Sequence, residues 1–172
     1  NCRSLRSKIE DIRKDYELGF SDMICLSETW LDQGDNLVDL QLEGYALHVN
    51  SVGVGKGIAT YLKKETFSPE LDITEHDIQI SKFTSKNIDV VSVYRSNDCK
   101  ISFQDVFESL ISETKPTLIV GDMNICYQEN RNDKNIQYLE ANKFKQMAIG
   151  ATHLQGGHID HVYLKDPQFD FE

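Results

Sequence analysis

Thr117-Leu118-Ile119-Val120-Gly121-Asp122-Met123-Asn124 places a short apolar run directly ahead of a carboxylate and an amide. Preceded by Pro116 and followed by polar residues, residues 117–120 read as a buried strand. The polar residues after them stand where a rigid scaffold commonly holds functional groups, at a strand end with loops above. Side chains of extended chain repeat every two residues, so Asp122 and Asn124 are expected on one side. A carboxylate can take a proton from water while an amide holds that water in place. This pairing suits in-line attack on phosphorus.

Three more positions repeat the pattern of a polar residue at the end of an apolar run. Glu28 follows Cys25-Leu26-Ser27, and Tyr94 follows Val90-Val91-Ser92-Val93. Asp160 stands between His158-Ile159 and Val162-Tyr163. Singly, each has a plain structural reading: an acidic residue after a strand can start a turn or cap a helix, and a tyrosine can close the edge of a core. Together with Asp122 and Asn124 they point to a site built on strand ends.

Around these positions the chain alternates short strands with few helices. Leu5, Ile9, Ile12 and Tyr16 recur at helical spacing behind Ser4 as N-cap, with Gly19 as the stop. Strands are expected at residues 23–26, 45–49 and 57–62, the last after the glycine-rich turn at 53–57. Residues 78–83 alternate and predict a strand with one wet face. Residues 88–94 are more continuously apolar and predict a central strand. Phe103, Val106, Phe107, Leu110 and Ile111 mark a helix ending before Pro116. Residues 134–147 read as a helix with Leu139, Phe144 and Met147 inward, and 159–164 as a closing strand. The stretches 32–39 and 128–135 are polar and read as loops. This mix is α+β or mixed α/β, without regular β-α-β alternation.

Composition narrows the possibilities. The chain has 172 residues, 40% hydrophobic and 27% charged. These are the proportions of one globular domain with a substantial core, which excludes disordered and fibrous classes. No apolar run approaches the roughly 20 residues of a membrane span, so no membrane partner is expected. The formal net charge of −10 argues against DNA binding through charge alone. It does not exclude a nuclease, because a metal ion can supply local positive charge. Cys2, Cys25, Cys99 and Cys126 form no C-x-x-C pair, Cys25 reads as a buried thiol, and no N-x-[S/T] acceptor occurs. A reducing, intracellular compartment fits this usage. The phosphate-loop reading of residues 53–57 fails: Asn50 stands where the first glycine belongs, and Gly57 follows Lys56 where Ser or Thr is needed. Neither H-E-x-x-H nor G-x-S-x-G occurs.

The ordered motifs resemble the endonuclease/exonuclease/phosphatase superfamily almost end to end. Asn1-Cys2-Arg3-Ser4-Leu5 resembles its opening motif, in which an Asn ends the first strand. Cys25-Leu26-Ser27-Glu28-Thr29-Trp30-Leu31 resembles its glutamate motif, and Val93-Tyr94-Arg95-Ser96-Asn97 its tyrosine motif. Gly121-Asp122-Met123-Asn124 resembles the Gly-Asp-aromatic-Asn motif, with Met for the aromatic. Gly157-His158-Ile159-Asp160-His161-Val162 resembles the late Ile-Asp motif. In wording, residues 1–5 and 26–31 are most similar to retrotransposon-type endonuclease domains. Residues 151–163 are similar to endonuclease domains fused to element-borne helicases.

The resemblance implies an α/β four-layer sandwich of two mixed β-sheets flanked by helices. It implies a divalent-metal phosphodiesterase acting on nucleic acid, DNA first, within a mobile-element protein that can carry flanking helicase or reverse-transcriptase domains. An intracellular, nuclear included, location goes with that reading. Glu28 would bind Mg²⁺, with Mn²⁺ as the alternative and Asn1 nearby, an oxygen ligand set that suits either ion. Asp122 would activate water and Asn124 orient it, while Tyr94, Asn97 and Asn124 would hold the scissile phosphate. Asp160 fits the role of orienting a catalytic histidine. In the family that histidine comes later, in a Ser-Asp-His-type motif, which the residues after Leu164 do not contain. His161 does not replace it, because it alternates to the face opposite Asp160 and reads as a core histidine. His153 and His158 read as loop or strand-edge residues. The expectation is one domain over 1–172, cut at both ends, without the family's first strand and final Asp-His motif, its sheet edges exposed. Two other readings share the fold: a catalytically inactive remnant or binding segment, and a phosphatase acting on a phosphorylated small molecule.

Overall fold

The computed structural model describes residues 1–32, 34–153 and 155–167. Gln33 of the 32–39 loop, Leu154 of the stretch 151–163 and the tail 168–172 lie outside the described residues. Among the described residues, nine strands form two sheets. Met23–Ser27 (β1), Tyr45–Asn50 (β2) and Ile58–Lys63 (β3) make a three-stranded sheet in the order β1-β3-β2. Ser68–Glu75 (β4), Ile78–Thr84 (β5), Asp89–Arg95 (β6), Thr117–Asp122 (β7), Lys145–Gln146 (β8) and Asp160–Lys165 (β9) make the second. Its order is β4-β5-β6-β7-β9-β8. The smaller sheet is wholly antiparallel; in the larger one β6 and β7 run parallel, with antiparallel pairs on both sides. This is the expected pair of sheets with few helices.

Helix Leu5–Lys14 (α1) lies on the outer face of the small sheet, where Leu5 and Ile9 join Ile24, Tyr45, Ala59 and Tyr61. Helices Phe103–Phe107 (α2) and Lys134–Ala141 (α3) cover the outer face of the large sheet, packing Phe103, Phe107 and Leu139 against Ile80, Val91, Val93 and Ile119. A helix-covered face needs apolar residues at alternate positions, and these strands supply them. Ser102 caps α2 by accepting from Gln104 N and completes a capping box with Asp105, and Asp133 caps α3 by accepting from Asn135 N.

The layer between the sheets explains the misreading of β5. Its Ile78 and Ile80 face the helices, so by alternation Gln79, Ser81 and Phe83 face the small sheet. Gln79 and Ser81 are fully buried, because the polar stripe lies against a second sheet and not against water. Asn50 on β2 is the hub of this seam. Its amide donates to the carbonyls of Ile73 (3.1 Å) and Ile80 (3.0 Å), and its oxygen accepts from Thr74 Oγ1 (2.8 Å). Asn50→Ala strands all three partners and is expected to lower unfolding stability by about 2–3 kcal/mol, measurable by urea denaturation.

Other expectations are corrected. Strand β4 escaped the reading because it is exposed along most of its length and carries Pro69. Helix α1 ends at Lys14, well before Gly19, and Tyr16 beyond it is 79% exposed. Ser4 precedes α1 but makes no side-chain cap bond. Of residues 134–147, only the first eight are helical: the chain leaves α3 at Asn142, and 145–146 pair with β9. Phe144 stays in the core, whereas Met147 is exposed. Cys25 is only partly covered overall, yet burial pushes its thiol up to about 11 against the opposing pull of the Ser92 and Thr60 hydroxyls. Lys56 in the 53–57 turn is engaged by Asp77 at 3.1 Å, as befits a connecting turn.

Candidate active site

Five chain segments end at one rim of the sandwich. Strands β6 and β7 run parallel and finish side by side, with Tyr94 and Asp122 in register. Strand β9 starts there, with Asp160 opposite Asp122. Strand β1 ends there at Ser27, paired with the start of β3 at Ile58. The N-terminal residues run alongside this end: Cys2 N donates to Ser27 O (2.9 Å) and Ser4 N to Glu28 O (2.9 Å). On the other side, Thr29 N and Trp30 N donate to Gly57 O and Lys56 O. Glu28 is thus held between two backbone segments with φ 53, a left-handed conformation that a non-glycine residue keeps only where its surroundings impose it.

Asp122 is wholly buried and both its oxygens are used. Oδ2 accepts from Asn1 Nδ2 (2.9 Å) and Oδ1 from Asn124 N (3.1 Å). The second bond is a side-chain turn. Strand β7 stops at Asp122, and Asn124 has φ 50. The expected extended run through 124 is therefore replaced by a tight turn, and it is this turn that brings the amide of 124 beside the carboxylate. Asn124 Nδ2 donates to Arg95 O (2.7 Å), tying the turn to the end of β6. Gly121, at φ 144, permits the close β6–β7 approach: a Cβ there would overlap the Val93 carbonyl oxygen.

The electrostatics follow from this crowding. Burial raises the Asp122 carboxyl to about 6, Asp160 and Glu28 push the same way, and the hydrogen bonds from Asn1 and Asn124 resist. Burial also lifts Tyr94 to about 12, helped by Glu28, Asp122 and Asp77. Tyr94 therefore stays protonated, and its hydroxyl donates to Gly55 O at 3.1 Å. Among the described residues, no cation forms an ion pair with Glu28, Asp122 or Asp160. The charge and donor types suit a hard divalent cation, which takes oxygen ligands. No three His, Cys, Asp or Glu side chains among the described residues form a ready-made shell, so Glu28 and Asn1 would need substrate and water oxygens to complete one.

The structure thus brings together Asn1, Glu28, Tyr94, Asp122, Asn124 and Asp160. Asn97 is exposed in the turn just after β6 and has no side-chain hydrogen bond among the described residues. His161 is buried, as expected, and its Nε2–H donates to Ile125 O at 2.8 Å. His158 lies in the irregular segment just before β9, as expected, and is 2% exposed there, packed on Tyr127 and His161. Sequence reading gave no role to Thr152, whose hydroxyl accepts from Ile159 N (3.1 Å) and Asp160 N (3.0 Å) and so fixes the entry into β9. No local pattern marks a threonine eight residues upstream of its partner.

Comparison with known proteins agrees with this architecture. The model of the Endonuclease/Exonuclease/phosphatase family matches residues 1–170. Its members are hydrolases of phosphodiester or phosphate-ester bonds and are generally dependent on divalent metals. No curated protein matches the chain significantly. Among solved structures, an AP endonuclease from Archaeoglobus fulgidus superposes with TM-score 0.71 at 14% identity, covering 95% of this chain and 84% of that one. The 3′ phosphatase NExo from Neisseria, bound to product DNA hairpin, gives 0.66 at 14% identity, covering 95% and 84%. The endonuclease domain of TRAS1, a telomere-specific non-LTR retrotransposon, gives 0.61 at 12% identity, covering 94% and 80%. At these identities the superpositions speak for the fold; the family match over nearly the whole chain, with its motifs gathered at one rim, makes this chain a member of the Endonuclease/Exonuclease/phosphatase family.

Proposed function

We propose that this rim is the active site of a Mg²⁺-dependent phosphodiesterase that cuts DNA, and that the chain belongs to a mobile-element protein. The observation that carries the chemistry is Asp122: a buried carboxylate, raised to about 6 and fixed through both oxygens by Asn1 and Asn124. A base poised near neutrality and held rigidly is suited to take a proton from an attacking water. Asn124, tied to Arg95 O, stands beside that water's path and can orient it. Tyr94, protonated at working pH, can swing its hydroxyl from Gly55 O to donate to a phosphoryl oxygen, and Asn97 lies on the turn beyond it. Asp160 stands opposite Asp122 across the strand pair and its charge helps to raise that carboxyl, with no histidine bonded to it among the described residues. Glu28 and Asn1 would hold the cation, Mg²⁺ or Mn²⁺, which when bound supplies positive charge to the phosphoryl oxygens.

The DNA substrate is supported by the DNA product bound to NExo and by the retrotransposon origin of the TRAS1 domain. The wording of residues 1–5 and 26–31 supports the mobile-element context, and flanking helicase or reverse-transcriptase domains and a nuclear site of action go with it. Incubation with supercoiled plasmid tests the reading. Nicked circles in Mg²⁺, and at least a hundredfold fewer in EDTA, are expected. Release of inorganic phosphate with uncut DNA would favour a phosphatase. No turnover of either kind would favour a non-catalytic binding segment.

A further inference from the structure

Beside the rim lies a cavity of about 250 Å³, lined by Asn1, Cys2, Arg3, Thr152, His153 and Asp160 among others. It shares Asn1 and Asp160 with the candidate active site. Its outer wall carries an unusual contact. Arg3 Nη2 lies 3.3 Å from His153 Nε2, while His153 Nδ1 faces the N–H of Gln155 at 3.3 Å. Arginine has only donors, and a neutral imidazole has one donor and one acceptor. Both ring nitrogens thus face donors, and one facing pair is unmatched whichever tautomer is present. An oxyanion between Arg3 and His153 would match both by accepting from each.

Two further observations favour an anion there. In a chain of net charge −10, Arg3 has no carboxylate at ion-pair distance among the described residues, whereas the neighbouring Arg6 is paired with Asp35 and Lys8 with Asp11. The backbone also aims Arg3. Its φ is 44, and the flanking Cys2 and Ser4 amides are both bonded to the 27–28 segment, so the segment is clamped while the exposed Arg3 side chain reaches to the 153 loop.

We propose that Arg3 and His153 form a second phosphate subsite, which binds the backbone phosphate next to the one being cut and thereby selects a polynucleotide over a small phosphate ester. The proposal rests on the phosphodiesterase reading for the identity of the ligand, but its test does not need turnover. Binding of a short fluorescent DNA duplex by the full chain is followed by anisotropy in EDTA, across a series of salt concentrations. Arg3→Ala and His153→Ala are each expected to weaken binding about tenfold, and Arg3→Ala to reduce the salt slope by about one. Lys64→Ala, which removes an equal charge beyond the far end of β3, is the control and is expected to change affinity less than twofold. Affinity and slope unchanged in Arg3→Ala and His153→Ala, or lowered equally by Lys64→Ala, would overturn the subsite. If the subsite variants lose binding while the wild type cuts nothing in Mg²⁺, the subsite stands and the catalytic reading fails.

Discussion

Asp122→Asn is expected to make the protein more stable at pH 8 while removing its activity. The Asp122 carboxyl, ordinarily at 3.8, is raised to about 6 in the fold, first by burial and then by Asp160. A group whose folded value is raised contributes fully below its unfolded value, and that contribution disappears as pH climbs through the folded value. Between about pH 4 and pH 6, therefore, stability falls as the fold is forced to hold a buried charge, by roughly 3 kcal/mol for a shift of about two units. Asparagine keeps the shape and still accepts from Asn124 N, and the Asn1 amide can turn to accept from it. The variant is expected to melt about 6 °C or more above wild type at pH 8, with the gap closing near pH 4. The same substitution removes the base and is expected to slow cleavage by about 10³-fold or more. Equal melting temperatures at pH 8 would show that the carboxylate is not under the strain described.

Gly121→Ala is the second large effect. The Cβ would meet the Val93 carbonyl oxygen at a position where φ is 144. Neither neighbour can yield cheaply, because both are backbone in the parallel pair β6–β7. Strain and overpacking together are expected to cost about 3–5 kcal/mol. The damage falls one residue from Asp122 and directly across from Val93, the residue before Tyr94. Urea denaturation should show the loss, and any folded fraction should have the Tyr94–Asp122 register disturbed and cleavage reduced beyond the loss of folded protein.

What could be read in advance depended on whether the polar residues of each element meet water. Strands β6 and β7 are covered on both faces, and their apolar runs are legible together with Tyr94 and Asp122, which follow them. The motif order 1–5, 25–31, 93–97, 121–124 and 157–162 placed five segments that the fold does gather at one rim. Strand β5 is legible as a strand, but its alternation predicts a wet polar stripe, whereas Gln79 and Ser81 bond within the seam between sheets. Strand β4 has only the short Leu71–Ile73 alternation, with Ile73 partly buried against the core, and is held in place by its pairing with β5, which no local pattern reports. Asp122 and Asn124 were paired correctly for an incorrect reason: a side-chain turn joins them, not the strand period. The meeting of Arg3 with His153 depends on a contact across 150 positions of chain, and Thr152 acts on an amide eight residues on; neither has a local signature.

The most direct test of the central claim compares nicking of supercoiled plasmid by wild type and Asp122→Asn in Mg²⁺, with folding of both verified by melting. Nicking by wild type, and its loss in a variant that is folded and more stable, is the predicted result. Equal nicking by the two proteins would contradict the assignment of Asp122 as the base, and with it the mechanism built on the rim.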